Sequence, residues 1–329
     1  NIDYDIVRID WCDTHFAHHI RIKNAELIGN HTSSFTRQHI LLTNCEVGPS
    51  SDRGHNEFIN LVVHGHGTDR FDNGIYLQPG DNLVENCDVY DYPGTGIQTY
   101  NAYGQPTNNN IIRGNRVHDP YTGGPTHDGY GMWLTGNDNS IYNNMIYRMG
   151  GGLFVSRALQ VVNGAQRMII VNNTLYGNDG NGIEIGYDDL DPVIDTVVRN
   201  NIVYLQTGGP AYSNHAGTAG IIQSNNLFGT NPLFVNAAAN NFHLLSGSPA
   251  IDAGITVAAV TTDIDNDTRP LGAAYDIGVD EYDPGPPPLP SELPQKFKLR
   301  FRVAEFELLP LVVGALIVRR RQMRSRRWR

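Results

Sequence analysis

The chain is poor in the residues that would mark several familiar classes of protein. It has only three cysteines, Cys12, Cys45 and Cys87, in no spacing that makes a disulfide framework or a zinc motif. Before residue 285 there is a single lysine, Lys23, which argues against a lysine base in any site the body carries. No window before the last 45 residues sustains an apolar stripe at 3.6-residue spacing, so helices are not expected to build the body. The longest apolar stretch, Leu308 to Val318, is 11 residues, against about 20 for a membrane span. Charged residues make up 18% of 329, with 35 glycines, a composition of one long folded body and not of a disordered chain.

Positive charge is scarce in the same uneven way. Residues 285–329 hold 11 Lys and Arg against 3 Asp and Glu, which leaves 13 basic and 31 acidic residues in the body. An acidic body is a poor match for nucleic acid, which rewards clustered Lys and Arg. A polyanionic sugar would also be repelled unless a divalent cation mediates, and calcium is the cofactor that would suit.

What the chain does have is an asparagine returning at nearly fixed intervals: Asn86, Asn115, Asn144, Asn173, Asn201 and Asn226, with Asn24 and Asn44 before them. The company is similar each time, as in Ile112-Arg-Gly-Asn115-Arg-Val117 and Ile170-Val-Asn-Asn173-Thr-Leu175. Self-similarity at such a period means a stack of small units. A glycine opens a second recurring run at Gly74-Ile-Tyr-Leu-Gln78, Gly96-Ile-Gln-Thr-Tyr100, Gly131-Met-Trp-Leu-Thr135, Gly152-Leu-Phe-Val-Ser156 and Gly182-Ile-Glu-Ile-Gly186. Period-2 runs of this length bounded by Gly, Asn and Asp are strands. Each unit therefore reads as three short strands. The ladder Asn is expected to take the left-handed bend and to bond its amide to the next Asn at the strand spacing of about 4.8 Å.

With these residues the chain resembles the right-handed parallel β-helix proteins, the pectate-lyase-like family, over residues 1–235. The resemblance implies an all-β solenoid and, more weakly, action on polysaccharide. A second resemblance, on Ser248-Pro-Ala-Ile-Asp-Ala-Gly254, Asp263-Ile-Asp-Asn-Asp-Thr-Arg-Pro270 and Asp276-Ile-Gly-Val-Asp-Glu-Tyr282, is to the closing segment of secreted bacterial β-helix proteins. It implies export and a C-terminal cap over 236–283 that covers the last open edge of the stack. Residues 284–329 read as a proline-rich linker and an apolar, Arg-rich tail similar to bacterial sorting signals, for membrane or cell-surface attachment. The chain does not begin with Met, which fits a processed or truncated start.

Alternation places Ile75/Leu77, Ile97/Thr99, Met132/Leu134, Leu153/Val155 and Ile183/Ile185 inward. Tyr76, Gln98, Trp133, Phe154 and Glu184 then form one outward stripe, with Tyr100 and Tyr103 beside it, suited to the faces and hydroxyls of sugar rings. His127, Tyr130, Arg148 and Arg157 are the expected catalytic groups. They would serve proton transfer and carboxylate neutralisation in a lyase or epimerase acting on uronate sugars. Asp72 and Asp128 are the candidate cation ligands. Asp263, Asp265 and Asp267 have metal-like spacing, but a capping turn is expected there. A hydrolase would need paired carboxylates, for which Asp188 and Asp189 beside Glu184 are the candidates. A non-catalytic glycan-binding stalk is the other reading. The expected partner is a glycan and the expected state a monomer. Cys45 and Cys87 each follow a ladder Asn, either as free thiols, which is preferred, or as a bridge.

Overall fold

The computed structural model describes residues 7–9, 19–29, 31, 39–43, 54–78, 80–100, 107–123, 129–149, 157–161, 164–186, 192–215 and 217–285, with backbone alone for 7–9, 39–43 and 157–161. Cys12, Asn44, Cys45, Tyr103, His127, Asp128, Phe154, Asp188, Asp189 and the tail beyond Gly285 lie outside the described residues. No helix among the described residues is long and apolar enough to cross a membrane.

The body is an all-β parallel solenoid, as expected. One sheet stacks Val7–Ile9, His39–Thr43, Asn73–Leu77, Thr95–Thr99, Tyr130–Leu134, Arg157–Val161, Asn181–Ile185 and Tyr212–Asn214, every neighbour parallel. The second and third strands of each coil form two further rows. One runs from Leu83–Glu85 to Ile222–Ser224 and the other from Asp88–Tyr90 to Leu227–Phe228. Both rows meet on the eight-residue strand Glu57–His64, which pairs with Leu83–Glu85 and with Asp88–Tyr90.

The rows converge on a core that repeats coil by coil. Phe58, Val84, Ile112, Ile141, Ile170 and Val198 stack from the second row, and Val63, Val89, Val117, Ile146, Leu175 and Val203 from the third, all fully buried. Each such side chain contributes about 1.5–3 kcal/mol by leaving water. Thr99, a polar inward group of the first sheet, exchanges hydrogen bonds with Thr135 of the next coil: Oγ1 donates to Thr135 O at 3.0 Å and accepts from Thr135 N at 2.9 Å. The glycine at the second position of several first-sheet strands is required by crowding. A Cβ on Gly96 would lie 2.4 Å from Val117 Cγ1, and one on Gly182 would lie 2.4 Å from Val203 Cγ1.

The asparagine ladder is present, but its two tasks fall on adjacent residues. The left-handed bend belongs to the residue before the ladder position: Asn60, Asn86, Gly114, Asn143, Asn172, Asn200 and Asn225 have φ between 51° and 67°. The following residue turns inward, and Asn115, Asn144, Asn173, Asn201 and Asn226 bond amide to amide at 2.9–3.0 Å. Asn86 is thus an exposed bend residue, contrary to expectation. Its coil's ladder position is taken by Cys87, whose N–H donates to Asn115 Oδ1 at 2.9 Å. A second ladder, unforeseen, runs through Asn56, Asn82, Asn110 and Asn139 at the bend after the first sheet. Its members also follow left-handed residues, His55, Asp81, Asn109 and Asp138.

Cys87 is a free thiol, fully buried, with Sγ near the carbonyl oxygens of Phe58 and Glu85. Burial pushes the thiol up to about 12, so almost no thiolate forms at neutral pH. Under native conditions at pH 8 Cys87 is expected to resist iodoacetamide while reacting in denaturant. Peptide mapping that finds it alkylated in the folded protein would contradict this placement.

The closing segment does not sit over the end of the stack. It folds back along the side, held by the bend column: Asn143 Nδ2 donates to Thr262 O at 2.7 Å, Asn172 Nδ2 to Asp276 O at 3.1 Å and Asn200 Nδ2 to Ile255 O at 2.7 Å. Phe242 of its antiparallel hairpin (Phe234–Asn236 with Asn241–Leu244) packs on Tyr147 and Tyr176, and Val260 packs on Tyr142 and Val171. Tyr212–Asn214, Ile222–Ser224 and Leu227–Phe228 pair on their outer edge with no described strand. The physical reason is that the bend column projects amides sideways, and these need carbonyl partners. Asp263 caps a turn, accepting the N–H groups of Asp265 and Asp267 at 2.9 and 2.8 Å and of Glu281 at 3.1 Å.

Candidate functional site

Parallel register carries the outward stripe of the first sheet from coil to coil: Leu42, Tyr76, Gln98, Trp133, Gln160, Glu184 and Ser213 occupy equivalent positions. Tyr76 and Trp133 do line up, and both are half-buried. Phe154 lies outside the described residues. The strand of its coil is Arg157–Val161, five residues beyond the expected run, so Gln160 takes the stripe position and Leu159 the inward one. Both stretches alternate, and the backbone register that pairs Leu159 with Met132 and Ile183 decides between them.

The stripe is less open than expected. Gln98 is buried, with Oε1 accepting from Asn73 Nδ2 at 2.8 Å, while Asn73 Oδ1 accepts from Thr95 N. Glu184 is 1% exposed. The rings remain the accessible part: Tyr76 lies 6.2 Å from Tyr100, and Trp133 meets Tyr130 edge-on at 5.5 Å. Trp133 Nε1 has no hydrogen-bond partner among the described residues. Register pairs Tyr130 with Thr95 and Arg157 with Asn181.

The chemistry that sequence reading missed lies one coil further on. His215, immediately after the strand Tyr212–Asn214, places Nε2 2.6 Å from Oε1 of the buried Glu184. Its own side chain is 35% exposed, so the imidazole bridges a buried carboxylate and the solvent-facing side of the sheet. Glu184 can accept only if Nε2 carries a hydrogen, which leaves Nδ1 as the basic nitrogen of the neutral ring. That is an imidazole oriented by a carboxylate, suited to moving a proton. The available signal was positional: His215 stands two residues after Ser213, which pairs with Glu184, on the same face of the sheet.

Two other expected members of the site are placed elsewhere. Arg148 stands at the bend after the third row, with φ 53°. It pairs with Asp119 (Nε to Oδ1 2.7 Å), bonds to Asn240, and covers the Tyr147 ring at 4.8 Å. The pairing with Arg148 holds Asp119 below the usual carboxylate range in spite of its partial burial. Arg148 therefore ties the closing hairpin to the body instead of serving a substrate carboxylate. Asp72, expected as a cation ligand, is fully buried and caps its own loop, accepting from Thr68 N and Asp69 N, both at 2.9 Å.

A ring column that was not foreseen runs up the third row. His64, Tyr90, His118 and Tyr147 stack nearly parallel at 4.6, 5.2 and 4.7 Å. Carboxylates flank it, Glu26 on His64 and Asp88 with Asp119 on His118. These rings spend their faces on one another, which makes the column a scaffold for the third row and not a sugar platform.

No curated protein sequence shows significant similarity to this one. Among solved structures, the crystal structure of pectate lyase Pel9A is similar with a TM-score of 0.49 and 15% identity, covering 80% of this chain and 71% of that one. The model of the right-handed β-helix region family matches residues 46–258, well over half of the sequence and all of the regular coils from Glu57 onward, so the chain is a member of that family.

Proposed function

We propose that the chain is an exported, carbohydrate-active protein that binds an acidic, uronate-containing polysaccharide along the first sheet and acts on it as a lyase or epimerase. The observation that carries this reading is the His215–Glu184 pair, 2.6 Å apart, on the sheet that also presents Tyr76 and Trp133. The tyrosine and tryptophan rings offer apolar faces to sugar rings, and Gln98 and Asn73 give the stripe a rigid polar floor. His215 Nδ1 would take the proton next to the uronate carboxylate, while Glu184 stabilises the imidazolium that forms. Return of a proton to the opposite face gives epimerisation. Departure of the neighbouring glycosidic oxygen gives elimination and an unsaturated sugar. Arg157, whose backbone pairs in register with Asn181, is the candidate cation for the carboxylate.

A screen of uronate polymers for the ultraviolet absorbance of an unsaturated product tests elimination, and proton exchange from solvent followed by NMR tests epimerisation. His215→Ala is expected to lower turnover at least about 100-fold with the circular dichroism spectrum unchanged. Full activity in that variant would reject the assignment. Binding of a polymer with neither product nor exchange would favour the non-catalytic glycan-binding stalk.

A further inference from the structure

Three ligand-type side chains converge in the closing segment, apart from the first sheet. His243 comes from the strand Asn241–Leu244, Asp265 from the turn that Asp263 caps, and Asp280 from the stretch before Glu281. One donor atom from each lies within 4.8 Å of the other two. Nε2 of His243 is 2.7 Å from Asp265 Oδ2 and 3.9 Å from Asp280 Oδ1. The Asp280 side chain is only 7% exposed, and its other oxygen is anchored by Leu244 N at 2.7 Å, so the carboxylate is aimed by the backbone.

The far side of the imidazole sets its tautomer. Nδ1 lies 2.6 Å from Asn241 Oδ1, and that same oxygen accepts the His243 backbone N–H at 3.2 Å, which identifies it as the amide oxygen. Nδ1 must therefore be the protonated nitrogen, as in a metal-ligating histidine whose second nitrogen is held by an outer partner. Nε2 then points its lone pair at two carboxylates. Three electron-pair donors face one another, and only a proton or a cation can sit among them.

We propose that His243, Asp265 and Asp280 form a binding site for a divalent metal ion of the zinc class. An imidazole with two carboxylates suits such an ion, whereas calcium takes six to eight oxygens. Donors around a tetrahedral ion with arms near 2.0–2.2 Å stand about 3.4 Å apart, within the spread found here. The two carboxylates balance the charge of the ion, and water completes the shell. The ion joins three stretches that are not contiguous in sequence, so its effect is to lock the closing segment.

The test uses the full chain stripped with EDTA and then titrated with CoCl2 and ZnCl2. Binding of one equivalent at this site is expected to give the visible absorption of low-symmetry cobalt. Zinc at about 100 times its dissociation constant should raise Tm by about 5 °C. Both responses are expected to vanish in His243→Ala and in Asp265→Asn, each an exposed position whose replacement leaves the buried closing segment intact. Persistence of the cobalt spectrum in both variants would overturn the proposal. So would a wild-type chain that binds neither metal, which would assign the cluster to an imidazolium paired with two carboxylates.

Discussion

Replacing Glu281 with alanine is expected to lower the unfolding free energy by about 3–5 kcal/mol, because it strands a buried guanidinium. Arg269 and Glu281 are 0% and 1% exposed, with Nη1 donating to Oε1 at 2.5 Å. Arg269 also donates from Nη2 to Gly278 O at 2.8 Å and Asn143 Oδ1 at 3.5 Å, from Nη1 to Asp276 O at 3.3 Å and from Nε to Thr262 O at 3.3 Å. Burial lowers the pKa of Arg269 from its ordinary value, yet a guanidinium keeps its proton in any protein interior, so the charge stays in place without its partner. Glu281 also accepts Asp276 N at 2.8 Å and Leu271 N at 2.9 Å, and alanine leaves both donors unsatisfied. Urea unfolding should show a lower midpoint with little change in slope. The double variant Arg269→Met, Glu281→Leu is expected to recover most of the loss, since an apolar pair of similar volume replaces the charges together. A loss below about 1 kcal/mol in Glu281→Ala would mean that this pair does not hold the closing segment.

Asn173→Ala is expected to cost about 3–4 kcal/mol, and Asn86→Ala only about 1 kcal/mol, although both residues belong to one sequence period. Asn173 is fully buried. Its Oδ1 accepts Asn144 N and Asn144 Nδ2, both at 3.0 Å, and its Nδ2 donates to Asn201 Oδ1 and to Ile141 O, both at 3.0 Å. Alanine leaves donors and acceptors from three coils without partners in a place water does not reach. Asn86 is an exposed bend residue with φ 54°, so alanine there meets only the cost of the left-handed backbone. Chemical denaturation of the two variants side by side separates the roles. Equal losses would show that the bend and the ladder are one function after all.

The architecture was legible because a solenoid repeats its local pattern, and each coil confirms the others. The ladder was read one residue out of phase at Asn86 because the doublets Asn143-Asn144, Asn172-Asn173 and Asn200-Asn201 contain both a bend residue and a ladder residue. Only the hydrogen bonds show which is which. The strand around Phe154 was misplaced for a related reason: Leu153 to Val155 and Leu159 to Val161 alternate equally well, and local alternation cannot choose between them. Neighbouring coils choose, through the backbone register that pairs Leu159 with Met132 and Ile183.

The site was harder to read than the scaffold. Glu184 and His215 are 31 positions apart in the chain and meet only because one coil closes between them. The same closure delivers Arg148 to Asp119 and Asn240 and away from the role its charge suggested. Periodic spacing of Asn, Gly and alternating apolar residues, taken alone, determined that this chain winds into stacked parallel coils with one column of outward groups on the first sheet. Which outward groups become buried, paired or reactive was decided by coil-to-coil register and by the return of residues 231–283 along the bend column. Those contacts join residues distant in sequence, and no local pattern encodes their pairing.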